Sequence, residues 1–392
     1  MCGLILTKTE FKPKMDLVNS TSISCTIPET IFNLTDPDKA YHFLYGPVDT
    51  IIITVIIPII SVVGIVGNAA FIYMSYRVPE LRSATVTSYL VHLAVCDILF
   101  LLFINGWYAA ALTMSPVNSS YPVNSIFGCA MWTITTHWWY LASLGLITLI
   151  SMERYFAICQ PVTHRNARGK KARSTKQIVA TWLCSLLLTL TLIPRYSRFV
   201  TNCMLWPDSE DFENLPNTVN DCEPMSKSAD IYASFMEIIT LLLTMIINIA
   251  LFTRIIQTLR SMSGTTSSDY ADRVRYQVTR TLVANGIIFF VCQVPFRVFT
   301  IDDVFDNLGG GVDILPSQAT ESMVLTIGRA FVFLNSIINP YLYVFSCQHY
   351  RRGMVKAFCG DRFSKVSESF YRSSQITEKR SSSLTRTSIT AV

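Results

Sequence analysis

Seven apolar blocks, each nearly free of charge, decide what this chain can become. They run Val48–Tyr76, Thr87–Met114, Phe127–Ile158, Ile178–Pro194, Ile231–Ile256, Val278–Thr300 and Ser322–Phe345. A bilayer's hydrocarbon core of roughly 30 Å takes about twenty helical residues, the scale of these blocks. With 51% of its 392 residues hydrophobic and 15% charged, the chain has too little polar surface to hide seven such blocks in a soluble core. The fold class is therefore an all-α membrane protein, a bundle of seven transmembrane helices.

Charge orients the bundle. Lys and Arg number two at Arg77 and Arg82, six from Arg165 to Lys176, five from Arg254 to Arg280, and nine after Gln348. The alternate connections are acidic, with Asp208, Glu210, Asp211, Glu213, Asp221, Glu223 and Asp230 between spans 4 and 5. The positive-inside bias puts the N-terminus outside and the C-terminus in the cytoplasm. The net charge of +5 averages two opposed faces and does not point to nucleic acid.

Residues 1–47 form a polar outer segment with acceptor triplets at Asn19 and Asn33, both expected to be glycosylated; Asn118 is a weaker candidate beside the membrane. Leu4–Leu6 is too short for a signal-peptide core, so span 1 is expected to direct its own insertion. The bundle covers residues 48–345. Residues 346–360 alternate basic and apolar positions and read as an amphipathic helix on the inner surface. Residues 361–392 are Ser/Thr/Arg-rich and have too little apolar content to fold.

Span 3 joins the two faces. Cys129 opens it and Glu153-Arg154-Tyr155 closes it, a helical separation of roughly 37 Å. An outward thiol sits in an oxidising compartment, and the acidic loop offers Cys203 and Cys222 as partners. Cys222, near the start of span 5, is preferred; Cys203 is then left for Cys25 or for no partner. Polar residues inside the spans are costly and mark function. They are Asp97 in span 2, Glu237 in span 5, Arg297 in span 6, and Arg329, Asn335, Ser336 and Asn339 in span 7. A guanidinium at such depth seeks a carboxylate or a pair of carbonyls. Glu237 is expected to pair with Arg297 and to leave Arg329 for a ligand. Trp107, Tyr108, Trp132, His137, Tyr140 and Phe299 would supply aromatic walls. Snorkelling of Arg329 to the outer surface is the competing expectation.

These pieces resemble the rhodopsin-like (class A) G-protein-coupled receptors over about four-fifths of the chain. The likeness rests on GxVGN ending at Asn68, LAVCD ending at Asp97, Cys129, Glu153-Arg154-Tyr155, Trp182, Pro295 and Asn339-Pro340-Tyr341-Leu342-Tyr343. Within the family, MERYFAICQPV, RYQVTRTLV and CQVPFRVF are similar to the peptide-receptor branch, that of thyrotropin-releasing hormone, ghrelin, neuromedin and neurotensin receptors. Three departures stand out: Gln293 where the resemblance places a tryptophan, Thr240 in place of a proline, and Asn248 in place of a tyrosine.

The resemblance implies no catalytic site and no enzyme activity. It implies coupling to a heterotrimeric G protein through Glu153, Arg154, Tyr155, Val162, Asn339, Pro340 and Tyr343, with Glu153 holding Arg154 at rest. It also implies an inner sodium pocket of Asp97, Ser143, Asn335, Ser336 and Asn339, for which water is the alternative occupant. Thr136 stands where amine receptors carry an aspartate, and span 7 lacks the retinal-binding lysine, so an amine or retinal ligand is not expected. The expected function is a plasma-membrane receptor for an extracellular neuropeptide. The alternatives are a receptor for a lipid or small acidic ligand, a seven-span transporter, and a binding protein that does not signal; no paired repeats favour transport. Clustered serines at Ser367, Ser369, Ser373, Ser374, Ser381, Ser382 and Ser383 suit receptor kinases and arrestin. Cys359 is a palmitoylation candidate, which would add a lipid anchor to the surface helix.

Overall fold

The computed structural model describes residues 31–166, 169–262, 270–308 and 318–360. Asn19, Cys25 and the tail serines lie outside the described residues, as does the side chain of Phe299. Seven long helices follow the seven apolar blocks: α1 Pro47–Arg77, α2 Thr85–Met114, α3 Ile126–Cys159, α4 Lys170–Leu192, α5 Lys227–Met262, α6 Tyr270–Leu308 and α7 Gln318–Ser346. After Cys347 the chain turns by 97° into α8, Gln348–Gly360, the expected surface helix. Several helices run past their apolar blocks, because flanking residues such as Lys227–Asp230 prolong α5 in the aqueous layers.

Helix α3 packs against α2, α4, α5 and α6, and α7 against α1, α2 and α6. The Gly-rich motif of α1 has a steric cause. A β-carbon on Gly64 would lie 2.8 Å from Ile337, and one on Gly67 would lie 2.9 Å from the Tyr341 ring. Only glycine lets α7 approach so closely. The approach lets the Asn68 side-chain amide donate to the Gly64 and Ser336 carbonyls, both at 2.9 Å. Pro295 and Pro340 lie inside continuous helices α6 and α7.

The outer face carries a small sheet that the helical pattern did not announce. Strand β1 (Ile31–Asn33) pairs in parallel with β2 (Arg198–Leu205), which pairs antiparallel with β3 (Thr218–Glu223). Cys129 is disulfide-bonded to Cys222, which pins the β2–β3 hairpin to the first turn of α3. Cys203 is disulfide-bonded too, with a partner that is not among the other described cysteines. The loop between α2 and α3 joins the cap: Tyr121 N–H donates to the Asn220 carbonyl at 2.8 Å, and Asn118 N–H to the Phe43 carbonyl at 2.8 Å. Leu34, Ala40, Val117, Met204, Phe212 and Val219 fill a separate apolar core beneath these strands. The N-terminal segment, the first outer loop and the hairpin thus form one packed lid.

Candidate functional site

Beneath the lid, three helices bring charge together. The Glu237 carboxylate of α5 accepts from Arg297 Nη1 of α6 at 2.7 Å, and His137 Nε2 of α3 lies 2.8 Å from its other oxygen. Both acid and base are almost wholly buried, at 3% and 5% exposure. Burial of either charge alone would be costly, and the partners offset that cost. The expected Glu237–Arg297 pair is therefore present, inside a larger cluster. Arg195, which follows α4, lies 3.6 Å from Glu237 and pairs with Asp230 at 2.9 Å. Sequence reasoning passed over Arg195; its signal was a lone cation just past Pro194 at the outer end of span 4.

His137 changes role. It was expected to offer an aromatic wall, but its Nδ1 lies 2.9 Å from the Thr133 carbonyl while Nε2 faces Glu237. The ring is a member of the charged cluster. Tyr140 does face the cavity chemistry: the Arg297 guanidinium carbon sits 5.0 Å from its ring centroid. Trp107 and Trp132 lie against each other, tilted by 34° with centroids 3.7 Å apart, and Tyr121 meets Trp107 edge-on at 5.8 Å. These two indoles hold the α2–α3 seam together as one aromatic block.

Arg329 of α7 is half-buried. Its Nε and Nη2 are buried with no hydrogen-bond partner among the described residues. Its charge is felt by Tyr108 and Tyr45. Arg297 likewise keeps Nε and Nη2 unpartnered, and the wholly buried Gln293 has neither amide atom engaged.

Deeper in the bundle, Asn339 Nδ2 donates to the Asp97 carboxylate at 2.7 Å, and the Ser336 hydroxyl lies against the same group. Asn335 Oδ1 is buried without a partner, and Ser143 bonds the Trp139 carbonyl at 2.9 Å. One carboxylate among neutral oxygens, of which Asn335 Oδ1 and Ser336 Oγ have no hydrogen-bond partner among the described residues, fits a hard monovalent cation such as sodium. No cluster of three or more His, Cys, Asp or Glu side chains suited to a metal occurs among the described residues.

At the inner face the expected pairing shifts. Glu153 accepts from His164 Nε2 at 2.9 Å, not from Arg154. The short helix Pro161–Asn166 swings His164 back over the end of α3, and its imidazole takes the carboxylate. Val162 on that helix is 66% exposed. Tyr343 is buried between Phe71 and Tyr350, and its hydroxyl accepts from Asn285 Nδ2 of α6 at 3.2 Å. Tyr155 is half-buried, and Pro340 lies within α7.

Seven helices, a disulfide-pinned hairpin over one end and separate buried polar groups around Glu237 and Asp97 define a seven-helix receptor. Residues 67–343 match the family model described as 7 transmembrane receptor (rhodopsin family), and the chain belongs to that family. It is a G-protein-coupled receptor, not an enzyme. Among its relatives, the mouse (Mus musculus) somatostatin receptor type 2 is 25% identical over 342 residues, covering 85% of this chain and 82% of the relative. The zebrafish (Danio rerio) galanin receptor 2a is 21% identical, covering 79% of each chain. The pig (Sus scrofa) melanin-concentrating hormone receptor 1 is 24% identical, covering 76% of this chain and 78% of that receptor.

Proposed function

We propose that the chain is a plasma-membrane receptor for an extracellular neuropeptide, with its N-terminus outside and its C-terminus in the cytoplasm. The observation that carries this reading is the pair of buried, unpartnered guanidinium edges on Arg297 and Arg329 beneath a lid of three packed segments. A buried guanidinium edge kept without a partner is tolerated for what binds it. The relatives named for somatostatin, galanin and melanin-concentrating hormone support a peptide as the messenger.

The ligand works by favouring the active arrangement over the resting one. Glu237 and His137 position Arg297; Arg329, Tyr140 and Gln293 meet the ligand. Movement of α6 breaks the Asn285–Tyr343 bond and opens the inner face around Arg154. The C-terminal helix of the G protein then enters, with Val162 filling an apolar pocket on it. Asp97, Ser143, Asn335, Ser336 and Asn339 would hold sodium, which supplies a charge that stabilises the resting arrangement. Tail phosphorylation by receptor kinases would create an arginine-seeking surface for arrestin. The exposed Cys359 on α8, next to the exposed Phe358, is placed for acylation into the inner leaflet lipids. The test is a screen of synthetic neuropeptides on cells expressing the chain with promiscuous G proteins. A saturable response that Arg329→Ala abolishes, with surface expression retained, supports the reading; an unchanged dose response in that variant removes Arg329 from the site.

A further inference from the structure

The chemistry of the buried end of the ligand can be read from which nitrogens are left over. Arg297 spends Nη1 on Glu237 and leaves Nε and Nη2 outside hydrogen-bond geometry, with the Tyr140 hydroxyl close beside the guanidinium. Arg329 leaves the same two atoms. Nε–H and the Nη2–H lying trans to Cδ point in parallel, forming the side-on edge that a carboxylate grips with both oxygens. Two such edges, both buried and both without a partner among the described residues, are a stronger sign than two loose cations.

The edges flank one helix seam. A β-carbon on Gly328 would lie 3.1 Å from the Phe296 backbone, so α6 and α7 touch there, and each arginine follows its contact residue by one position. The helices run in opposite directions, so the two side chains leave the seam at depths about 3 Å apart. Gln293 lies one turn inward of Arg297 on α6, at the four-residue spacing that shares a helix face. Its unengaged amide offers both a donor and an acceptor below the forks.

Charge points the same way. His137 Nδ1 lies 2.9 Å from a carbonyl and Nε2 lies 2.8 Å from a carboxylate oxygen. Both neighbours are acceptors, a carbonyl and a carboxylate, so the ring donates on either side when protonated. The Thr136 hydroxyl, 3.3 Å from Nδ1, has its own acceptor in the Trp132 carbonyl at 2.8 Å. His137 and Arg297 therefore share one carboxylate, and Arg195 has Asp230. Asp302, five residues outward of Arg297, is engaged with another group. Among the described residues the Arg297 and Arg329 edges have no acid of their own beyond the Glu237 shared with His137.

We infer that the ligand enters carboxylate first, and that the Nε/Nη2 edge of Arg297 receives this carboxylate while Arg329 takes a second carboxylate or a backbone carbonyl. The inference rests on the pocket being the ligand site of the receptor proposed above. It sets the ligand class as a peptide with a free terminal carboxylate or an acidic residue at its inserted end. An amidated, cation-led peptide does not fit, since Thr136 gives it no counter-charge.

The test uses purified full-length receptor in nanodiscs with N-acetyl-phenylalanine and its amide as matched millimolar probes. The acid raises the melting temperature by about 2 °C or more and the amide does not. Arg297→Lys keeps the charge opposite Glu237 but loses the fork, and it removes the shift, as does Arg329→Gln. Equal shifts from acid and amide, or no shift from the acid, overturn the inference. A second arm takes any peptide that activates the receptor and compares it as acid and amide, with each Asp or Glu changed to Asn or Gln. Neutralising the inserted carboxylate lowers potency on the order of 100-fold; equipotent forms overturn the carboxylate site. An acid-selective shift without any activating peptide keeps the carboxylate site and contradicts the peptide-receptor reading instead.

Discussion

The Ser151 hydroxyl donates to the side-chain carbonyl of Asn248 at 2.6 Å, tying α3 to α5 three residues before Arg154. Asn248 returns a bond to the Thr148 hydroxyl at 2.9 Å, so one amide clamps two turns of α3. Family resemblance places a tyrosine at this position. Here α5 is tied to α3, and Tyr343 is tied to α6 through Asn285. The two halves of the inner switch are fastened separately.

That arrangement makes Asn248 a restraint on the resting state. Asn248→Ala removes both bonds to α3 and the amide's own bond to the Thr244 carbonyl, and leaves Ser151 and Thr148 on the Ile147 and Leu144 carbonyls, a loss of about 1–3 kcal/mol. Basal nucleotide exchange should rise several-fold without ligand. Unchanged basal exchange in a well-expressed variant would show that the clamp does not oppose activation.

Glu237 compensates two buried cations at once, so removing it should cost more than removing either partner. Glu237→Ala leaves Arg297 and His137 facing each other and destabilises the fold by about 3–5 kcal/mol. Surface expression and melting temperature should both fall sharply. A variant as stable as the parent would mean that water or rearranged side chains replace the carboxylate.

The sugar acceptors can be told apart by their amides. Asn33 is exposed at the edge of β1, and its Oδ1 accepts from the Thr35 hydroxyl at 2.9 Å. The Asn118 Nδ2 instead donates to the His42 carbonyl at 2.9 Å and the Leu44 carbonyl at 3.3 Å, inside the lid. Asn33→Gln should shift the electrophoretic mobility of the mature protein, and Asn118→Gln should not. A shift with Asn118→Gln would show that the lid closes only after glycosylation.

The surface helix is tethered by Lys356, whose Nζ lies 3.0 Å from Glu80 in the first inner loop. A hydrogen bond from the backbone, then one from Lys356, hold the Glu80 carboxyl below its ordinary value of 4.5. A depressed carboxyl contributes above its unfolded value and loses that contribution as pH falls through its folded one. The tether should therefore be constant from pH 6 to 8 and fade only below about 4.5. Energy transfer between labels on α8 and the first inner loop would report it; a change near neutral pH would point to His349 instead.

The seven spans were legible because the bilayer imposes a length and a composition that few other structures share. Asp97, Asn339 and the Cys129–Cys222 link were legible because each is expensive or pointless in isolation. The Glu237–Arg297 pair followed from charge depth alone. Its extension to His137 and Arg195 did not, since which face of α3 meets α5 depends on helix rotation that sequence does not specify. The outer sheet was hidden for a similar reason: β1 has three residues, too few for a period-two signal, and it owes its place to pairing with β2. The Glu153–His164 contact depends on a one-turn helix after Pro161, whose direction no spacing rule fixes.

The account stands most directly on guanine-nucleotide exchange by a heterotrimeric G protein added to the purified chain in nanodiscs. An activating peptide should accelerate exchange at the outer-face concentrations at which it binds, and Arg154→Ala should abolish the acceleration while leaving peptide binding intact. Saturable peptide binding with no change in exchange rate would contradict it.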